Sequence, residues 1–150
     1  IDMVMPVGKF LSGDEQGVTD EITEIKAVCG PDVPLKVILE TGCLQTPENI
    51  RKASFLAMNA GADYIKTSTG KEKISATPEA AYIMCQCIKE YYEKEGRMVG
   101  FKPAGGINST MDAIIYYTIV KEVLGEKWLN NRLFRLGTSR LADILIEELE

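Results

Sequence analysis

Residues 63–71 read DYIKTSTGK, an apolar strand that ends on Lys66 and continues into a loop of small hydroxylated residues. Side chains of a strand alternate between the two faces of a sheet, so Tyr64 and Lys66 share one face and Ile65 takes the other. Four further apolar segments follow the same plan: residues 1–5, 35–39, 98–102 and 133–137. Because segments with helical spacing lie between these strands, the sequence predicts a parallel sheet built from βαβ units.

Signals for helix starts and stops fall between the predicted strands. Thr46 and Thr77 each precede a Pro and a Glu, which is typical of an N-cap, a first-turn proline and a first-turn acid. Ser109 is expected to cap another helix, and a last helix is predicted over about 139–149. Three glycines stand where helices should stop: Gly61, Gly96 and Gly125. The prediction is a single domain over residues 1–150, with five strands and five helices in the order βαβαβαβαβα.

Two architectures fit this order, an open doubly wound sheet and part of a (β/α)8 barrel. Buried parallel strands are normally continuous runs of Val, Ile and Leu. Here the strands instead place charged residues on what can be one common face: Asp2, Lys36, Glu40, Lys66, Lys102 and Arg135. Unpaired charge is costly to bury, so we interpret the set as a polar network inside a barrel rather than as strand ends that reach solvent. The sequence therefore predicts an α/β fold of the (β/α)8 TIM-barrel class, with about the last five βα units present.

The positions of Lys66 and Lys102 indicate a catalytic site. Each is the last strand residue before a loop of small residues, and active sites of (β/α)8 enzymes lie at this end of the strands. On neighbouring strands, about 4.8 Å apart, the two ammonium groups would approach each other. A partly desolvated Lys beside a second cation has a lowered pKa, which leaves free amine for Schiff-base formation. The alternative, in which both lysines are merely paired with Asp2 and Glu40, stays open.

Three glycine-containing loops after consecutive strands predict an anion site: Thr69-Gly70-Lys71, Gly105-Gly106 and Gly137-Thr138-Ser139. Glycine lets backbone amides approach an anion closely, and helix N-termini favour negative charge. Loops after the last two strands are the usual phosphate site of such barrels. One such loop is weak support, because βα turns also use glycine for shape alone, but three together indicate a small anionic ligand.

Composition excludes several other classes of protein. The 150 residues carry a net charge of -5 with a pI of about 4.9, which argues against broad nucleic-acid binding. No apolar run approaches the roughly 20 residues that span a bilayer. The sequence has no His, which excludes Ser-His and Cys-His nucleophile pairs and His-based zinc sites. The four cysteines form no Cys-x-x-Cys pair and are expected to be reduced thiols of a cytoplasmic protein: Cys29, Cys43, Cys85 and Cys87.

Two long lysine motifs resemble those of the deoxyribose-phosphate aldolases. Residues 63–71 resemble the Schiff-base motif of that family, and residues 100–106, GFKPAGG, resemble its second lysine motif. Residues 35–42 and 132–139 resemble two further strand segments, and residues 1–6 resemble the segment with the catalytic aspartate. The resemblance implies a (β/α)8 class I aldolase, without metal or cofactor. Such an enzyme reversibly cleaves 2-deoxy-D-ribose 5-phosphate to D-glyceraldehyde 3-phosphate and acetaldehyde.

The resemblance also implies residue roles. Lys66 would form the imine with the carbonyl carbon, Lys102 would lower the pKa of Lys66, and Asp2 would support proton transfer through a water. Lys36 would lie in the inner-barrel network beside the substrate. The phosphate would be held by five residues of the loops: Gly70, Lys71, Gly105, Gly106 and Ser139.

The sequence departs from the family pattern at three places. Asn108 stands where some members carry Arg, and Arg140 where some carry a second Ser. The chain stops at Glu150, without the tyrosine-ended tail of some members. Five strands would also fill only part of an eight-stranded barrel and leave open edges, so this chain is not expected to be an active monomer by itself.

Two other functions remain open. One is another class I sugar-phosphate aldolase of the transaldolase type, which would share the imine but not both lysine motifs. The other is a non-catalytic phosphosugar-binding barrel, in which Lys66 is unreactive. The expected partner is a small sugar phosphate, with no nucleic acid and no membrane, and self-association as a homo-oligomer is a further option.

Overall fold

The computed structural model describes residues 1–148 and contains a parallel four-stranded sheet. Its strands are β1 (Asp2–Val4), β2 (Lys36–Ile38), β3 (Tyr64–Lys66) and β4 (Gly100–Lys102). Each strand pairs with the next one along the chain, in the order β1-β2-β3-β4. A doubly wound sheet reverses its strand order at a switch point, whereas a barrel adds strands in sequence. The described residues therefore form part of a (β/α)8 barrel, as predicted.

The predicted fifth strand is not continuous. Residues 133–137 instead meet the β4 segment through two isolated parallel bridges, Phe101 to Phe134 and Ala104 to Gly137. The amide of Arg135 donates to Phe101, and that of Gly137 donates to the carbonyl of Pro103. The intervening ladder bond would need an amide hydrogen at position 103, and proline has none. The segment thus occupies the fifth strand position, but Pro103 interrupts its pairing.

The structure contains more helices than the five that the sequence predicted. They are α1 (Val7–Leu11), α2 (Glu15–Cys29), α3 (Thr41–Leu44), α4 (Pro47–Asn59), α5 (Pro78–Glu95), α6 (Thr110–Leu124) and α7 (Leu141–Glu147), with a 3-10 turn at Glu126–Trp128. The prediction of one helix per unit is wrong for the first two units, where α1 and α3 precede the longer helices. The predicted last helix begins two residues late, at Leu141, and its predicted end lies outside the described residues.

The predicted helix caps are present. The hydroxyl of Thr46 accepts from the amide of Asn49 at 3.2 Å, and that of Thr77 accepts from Ala80 at 3.1 Å. Ser109 forms a full capping box with Asp112. Because these caps fix where α4, α5 and α6 begin, they also fix the lengths of the βα loops before them.

The two faces of the sheet differ in polarity. On the outer face Val37, Ile65 and Phe101 lie in one row and are fully buried under the helices. Two rows form the inner face: Asp2, Lys36, Tyr64 and Gly100, then Val4, Ile38, Lys66 and Lys102. The charged strand residues therefore share the inner face. None of the helices within residues 1–148 combines the length and the apolar character needed to cross a membrane.

Candidate active site

Lys66 and Lys102 are directly opposite each other at the ends of two adjacent strands. The register of β3 and β4 pairs these two residues. Both side chains line a cavity of about 380 Å³ at the carboxyl ends of the strands. Burial lowers the pKa of Lys102, and the positive charges of Lys66, Lys36 and Arg135 lower it further against the opposing effect of Asp2. The surroundings of Lys102 thus hold its pKa below the ordinary value for a lysine.

Asp2 connects three strands on the inner face. Its Oδ1 lies 2.6 Å from Nζ of Lys36, and its Oδ2 accepts a hydrogen bond from Nζ of Lys66 at 3.5 Å. Burial raises the pKa of Asp2, but the hydrogen bond from Lys36 and the charges of Lys36, Lys66 and Lys102 outweigh this effect and hold it below its usual value. Asp2 is therefore an ionised acceptor beside Lys66. Neither Asp2 nor Lys36 is among the residues that line the cavity.

Glu40 does not join this network, so the prediction that places it with the other charged side chains of the inner face is wrong. Within residues 1–148 it also forms no ion pair with Lys66 or Lys102, with which the alternative paired it. The residue adopts a left-handed backbone conformation with φ 55° and ψ 60° directly before α3. Its carboxylate accepts hydrogen bonds from the amide of Thr69 at 3.2 Å and from the Thr69 hydroxyl at 2.6 Å. The left-handed turn thus directs Glu40 to the loop after β3 instead of to the lysines.

The other end of the inner face is occupied by Tyr64. Its ring lies 5.8 Å from Nζ of Lys36 and 5.6 Å from the guanidinium carbon of Arg135. Nε of Arg135 donates to the carbonyl of Asn131 at 3.0 Å. Both cations are within the range of cation–π attraction, so Arg135 contributes to the inner face by stacking on Tyr64.

The loop residues bring unpaired backbone donors to the cavity. Gly105, Gly106 and Ser139 line it together with the two lysines, and so does Asn108. Among the described residues, the amides of Gly106, Ile107, Thr138 and Ser139 donate to no protein acceptor. Free amides of this kind are what an anion requires. Gly70 and Lys71 lie outside the lining, and Lys71 is exposed, so the structure brings together only part of the predicted phosphate set.

Thr67 ties the two lysine loops together, a role that the sequence analysis did not assign. Its buried hydroxyl accepts from the amide of Ala104 at 2.9 Å and donates to the carbonyl of Ala104 at 3.0 Å. The sequence signal was present, since Thr67 directly follows Lys66. Gly137 packs against the same place: a Cβ there would lie 2.4 Å from Cβ of Ala104 and 3.2 Å from Cε of Lys102. A side chain at position 137 would therefore clash with Ala104 and press against the end of the Lys102 side chain.

The fold and the site together define a class of protein: a barrel of parallel strands with a lysine pair in a cavity at the carboxyl ends of the strands. Residues 1–118 match the family described as DeoC/LacD family aldolase, and the chain belongs to this family. It is 46% identical over 141 residues to the deoxyribose-phosphate aldolase of Homo sapiens, covering 94% of this chain and 44% of that protein. The chain spans about half the length of the curated relatives it matches.

Solved structures show the same fold. A candidate deoxyribose-phosphate aldolase from Toxoplasma gondii ME49 superposes with a TM-score of 0.88 at 25% identity, covering 98% of this chain and 58% of that one. A deoxyribose phosphate aldolase from Aeropyrum pernix, described as having a unique tetrameric structure, superposes with a TM-score of 0.73 at 24% identity. The match covers 99% of this chain and 54% of that one. Within residues 1–148 no cluster of three or more Cys, Asp or Glu side chains could hold a metal ion.

Proposed function

We propose that this chain carries the catalytic centre of a class I deoxyribose-phosphate aldolase, with Lys66 as the Schiff-base lysine. The enzyme would reversibly cleave 2-deoxy-D-ribose 5-phosphate to D-glyceraldehyde 3-phosphate and acetaldehyde. The observation that carries this proposal is the pairing of Lys66 with Lys102 in register, inside one cavity and beside the Asp2 carboxylate. The relatives described above support the same substrate, because the human relative is named for it.

The first chemical step is imine formation at Lys66. Its neutral amine attacks the aldehyde carbon C1 of the open-chain sugar, and the resulting carbinolamine loses water to give the imine. Lys102 is directly opposite Lys66 in register, and its positive charge is the feature proposed to assist imine formation at Lys66. The protonated imine then takes the electron pair of the C2–C3 bond as that bond breaks, which neutralises the charge on its nitrogen. Its nitrogen thus serves as the electron sink of the cleavage.

Cleavage also requires that the C3 hydroxyl lose its proton. Asp2 is held ionised by Lys36 and hydrogen-bonded to Lys66, so it can accept that proton through a water. The products of this step are D-glyceraldehyde 3-phosphate and an enamine on Lys66. Protonation of the enamine at C2 and hydrolysis of the new imine release acetaldehyde and restore the amine. The reverse sequence makes the carbon–carbon bond.

The free amides of the cavity are proposed to hold the substrate phosphate. Those of Gly106 and Ser139 come from the two loops that follow the last two strand positions. Gly70, Gly105 and Lys71 would complete the site, with Lys71 turning toward the bound phosphate. The excess of lysine over carboxylate at this end of the sheet supports an anionic substrate.

Trapping of the imine tests the function. Acetaldehyde and borohydride are added to the natural full-length protein, and peptide mass mapping should find the reduced adduct on Lys66. A Lys66→Arg variant is the control, because it keeps the charge and cannot form the imine. An adduct on Lys102 with Lys66 unmodified would reverse the two roles. A protein that binds the phosphosugar but forms no adduct would be a non-catalytic barrel, and a donor other than acetaldehyde would indicate another class I aldolase.

Self-association is also part of the proposal. Met111, Ile114 and Tyr117 are large apolar residues exposed on one face of α6, and exposed apolar patches are typical of contact surfaces. The tetrameric relative from Aeropyrum pernix supports the same expectation. Light scattering on the natural protein measures the oligomeric state.

A cytoplasmic location is proposed as well. The four cysteines are free, which fits that location.

A further inference from the structure

Glu40 is a buried carboxylate with an unusual set of partners. It is 6% exposed, and within residues 1–148 its side chain forms no ion pair. In the part of the chain that the structure describes, its two oxygens accept hydrogen bonds from the amide and the hydroxyl of Thr69 alone. A buried carboxylate that faces no cation is costly to keep, and its left-handed backbone is uncommon for a residue other than glycine, asparagine or aspartate. The buried carboxylate and the left-handed backbone both cost stability, so we expect Glu40 to have a function that explains them.

The reason does not lie in the helix that Glu40 precedes. Its side chain makes no capping hydrogen bond to α3. Nor does Glu40 face the substrate, because it is absent from the lining of the cavity, whereas Thr69 is part of that lining. Thr69 is therefore the hydrogen-bonded contact that connects Glu40 to the site.

A relay of hydrogen bonds leads from Glu40 into the proposed phosphate loop. The Thr69 hydroxyl donates to Glu40 and accepts from the amide of Lys71 at 3.1 Å. This fixes the turn at Gly70, which has a positive φ of 83° and packs against Gly105 of the next loop. A carboxylate at the end of β2 thus sets the shape of the loop after β3 and its fit to the loop after β4.

We propose that Glu40 is a positioning residue for phosphate recognition, which acts by locking the Thr69–Lys71 turn in the shape that seats Gly70 against Gly105 of the cavity lining. This inference rests on the proposed function, because it assigns a further residue to the same substrate. It also assigns selectivity: Glu40 supports recognition of the phosphate and leaves imine chemistry at Lys66 alone.

Removal of the Glu40 charge should change phosphate binding in opposite directions for a positioning role and for simple electrostatic repulsion. A carboxylate close to an anion site repels the anion, so its removal alone would tighten phosphate binding. A positioning role predicts the opposite for Glu40→Gln, which keeps the size of the side chain but loses the charged acceptor. KM for 2-deoxyribose 5-phosphate should rise about tenfold, the scale of one lost charge-assisted hydrogen bond. Neither kcat nor the rate on unphosphorylated 2-deoxyribose should change comparably.

The matched control is Asp63→Asn. Asp63 is another carboxylate that accepts from a backbone amide, that of Leu35 at 2.8 Å, but it lies before β3 at the opposite end of the strand. The substitution removes the same charge and disturbs a loop contact of the same kind. It should leave the ratio of the two substrates' kcat/KM values at that of the parent, so a general loss of stability cannot imitate the Glu40 effect.

Variants of Thr69 test the relay from its other side. Thr69→Val removes the hydroxyl and should reproduce the Glu40→Gln effect, whereas Thr69→Ser keeps the hydroxyl and should raise KM for the phosphorylated sugar less than Thr69→Val does. The double variant with Glu40→Gln and Thr69→Val should be no worse than Thr69→Val alone, because residues that act through one contact are not additive. If Glu40→Gln fails to fold, the Thr69 pair still decides the matter.

The experiment combines steady-state kinetics on both sugars with calorimetric titration of inorganic phosphate, all on the natural full-length protein. Weaker phosphate binding in Glu40→Gln, with Asp63→Asn unchanged, supports the proposal. Unchanged or tighter phosphate binding in Glu40→Gln overturns it, and so do additive effects in the double variant. Absence of an imine in the parent would refute the proposed aldolase function instead, while the phosphate titration would still decide the role of Glu40.

Discussion

Two charged clusters lie at opposite ends of β3, and their charge balance differs. Before the strand, Asp63 accepts from Lys26 at 2.7 Å and from the amide of Leu35, so one carboxylate meets one lysine. At the end of the strand, Asp2 alone faces Lys36, Lys66 and Lys102. The first cluster is explained by holding two loops together. The second sets three lysines against one carboxylate, and perturbed, unbalanced charge is typical of a functional site.

The largest expected effect tests whether the unbalanced cluster is catalytic. Lys66→Met should lower kcat for cleavage of 2-deoxyribose 5-phosphate by at least about 10³-fold, since the residual rate without a nucleophile is that of binding alone. Lys26→Met makes the same chemical change in the balanced cluster and should retain parental kcat. Equal losses in both variants would show that the difference in charge balance has no catalytic meaning.

Lys102→Leu should reduce kcat at neutral pH by about 10- to 100-fold. Removal of the neighbouring cation favours the charged, unreactive form of Lys66, so activity should return in part as the pH rises. Lys102→Arg keeps the cation and is the control. The measurement is a pH profile of kcat, and a loss that is the same at every pH would mean that Lys102 acts in some other way, for example in binding.

Lys71→Ala should raise KM for the phosphorylated sugar by about tenfold, because a charged hydrogen bond is typically worth about 1.5–3 kcal/mol. The penalty should largely vanish with unphosphorylated 2-deoxyribose. Lys73→Ala removes another exposed lysine of the same loop, one with no role in the proposed phosphate site, and is the matched control. Equal penalties on both sugars would remove Lys71 from the phosphate site.

Lys36→Met should shift the acidic limb of the pH profile without a large loss at neutral pH. The hydrogen bond and charge of Lys36 lower the pKa of Asp2, so Asp2 keeps its charge to a lower pH than an ordinary carboxyl. Without Lys36 that pKa rises, and activity that needs ionised Asp2 should be lost at a higher pH during acidification. Lys36→Arg should keep the parental limb. An unmoved limb in Lys36→Met would separate Asp2 from the proton transfer.

The smallest kinetic effect is expected in the balanced cluster. Asp63→Asn should lower the free energy of unfolding by about 1–3 kcal/mol, the cost of weakening a partly buried charged hydrogen bond. Urea denaturation measures that loss. A fall in kcat for the folded variant would contradict the view that this cluster only holds loops together.

The strands and the longer helices could be predicted because their signals are local. Alternation identifies a strand, and the Thr-Pro-Glu triplets before α4 and α5 identify a helix start within three residues. The short helices α1 and α3 escape this method, since 5 and 4 residues are too few to show a helical period. The break in the fifth strand was readable in principle, because Pro103 cannot donate to a sheet ladder.

The lysine pair of the site could also be predicted, since strand-end positions on neighbouring strands must meet. The partner of Glu40 could not. Strand alternation places Glu40 beside Lys36 on the inner face, but a left-handed residue leaves the strand geometry on which that argument depends. Such a backbone is rare for glutamate, so no sequence pattern predicts it, and the contact with Thr69 emerges only in three dimensions.

Gly100 faces Tyr64 across β3 and β4, and a Cβ at Gly100 would come within 2.4 Å of the Tyr64 ring. The ring thus fills a volume that two residues would ordinarily share. Because a larger residue at one position requires a smaller one at the other, positions 64 and 100 should covary among relatives. In a combinatorial library, Gly100→Ala should survive only alongside a smaller residue at position 64. Such paired variants would open space beneath the lysines, which makes this the natural place to begin a search for enzymes that accept bulkier aldehydes.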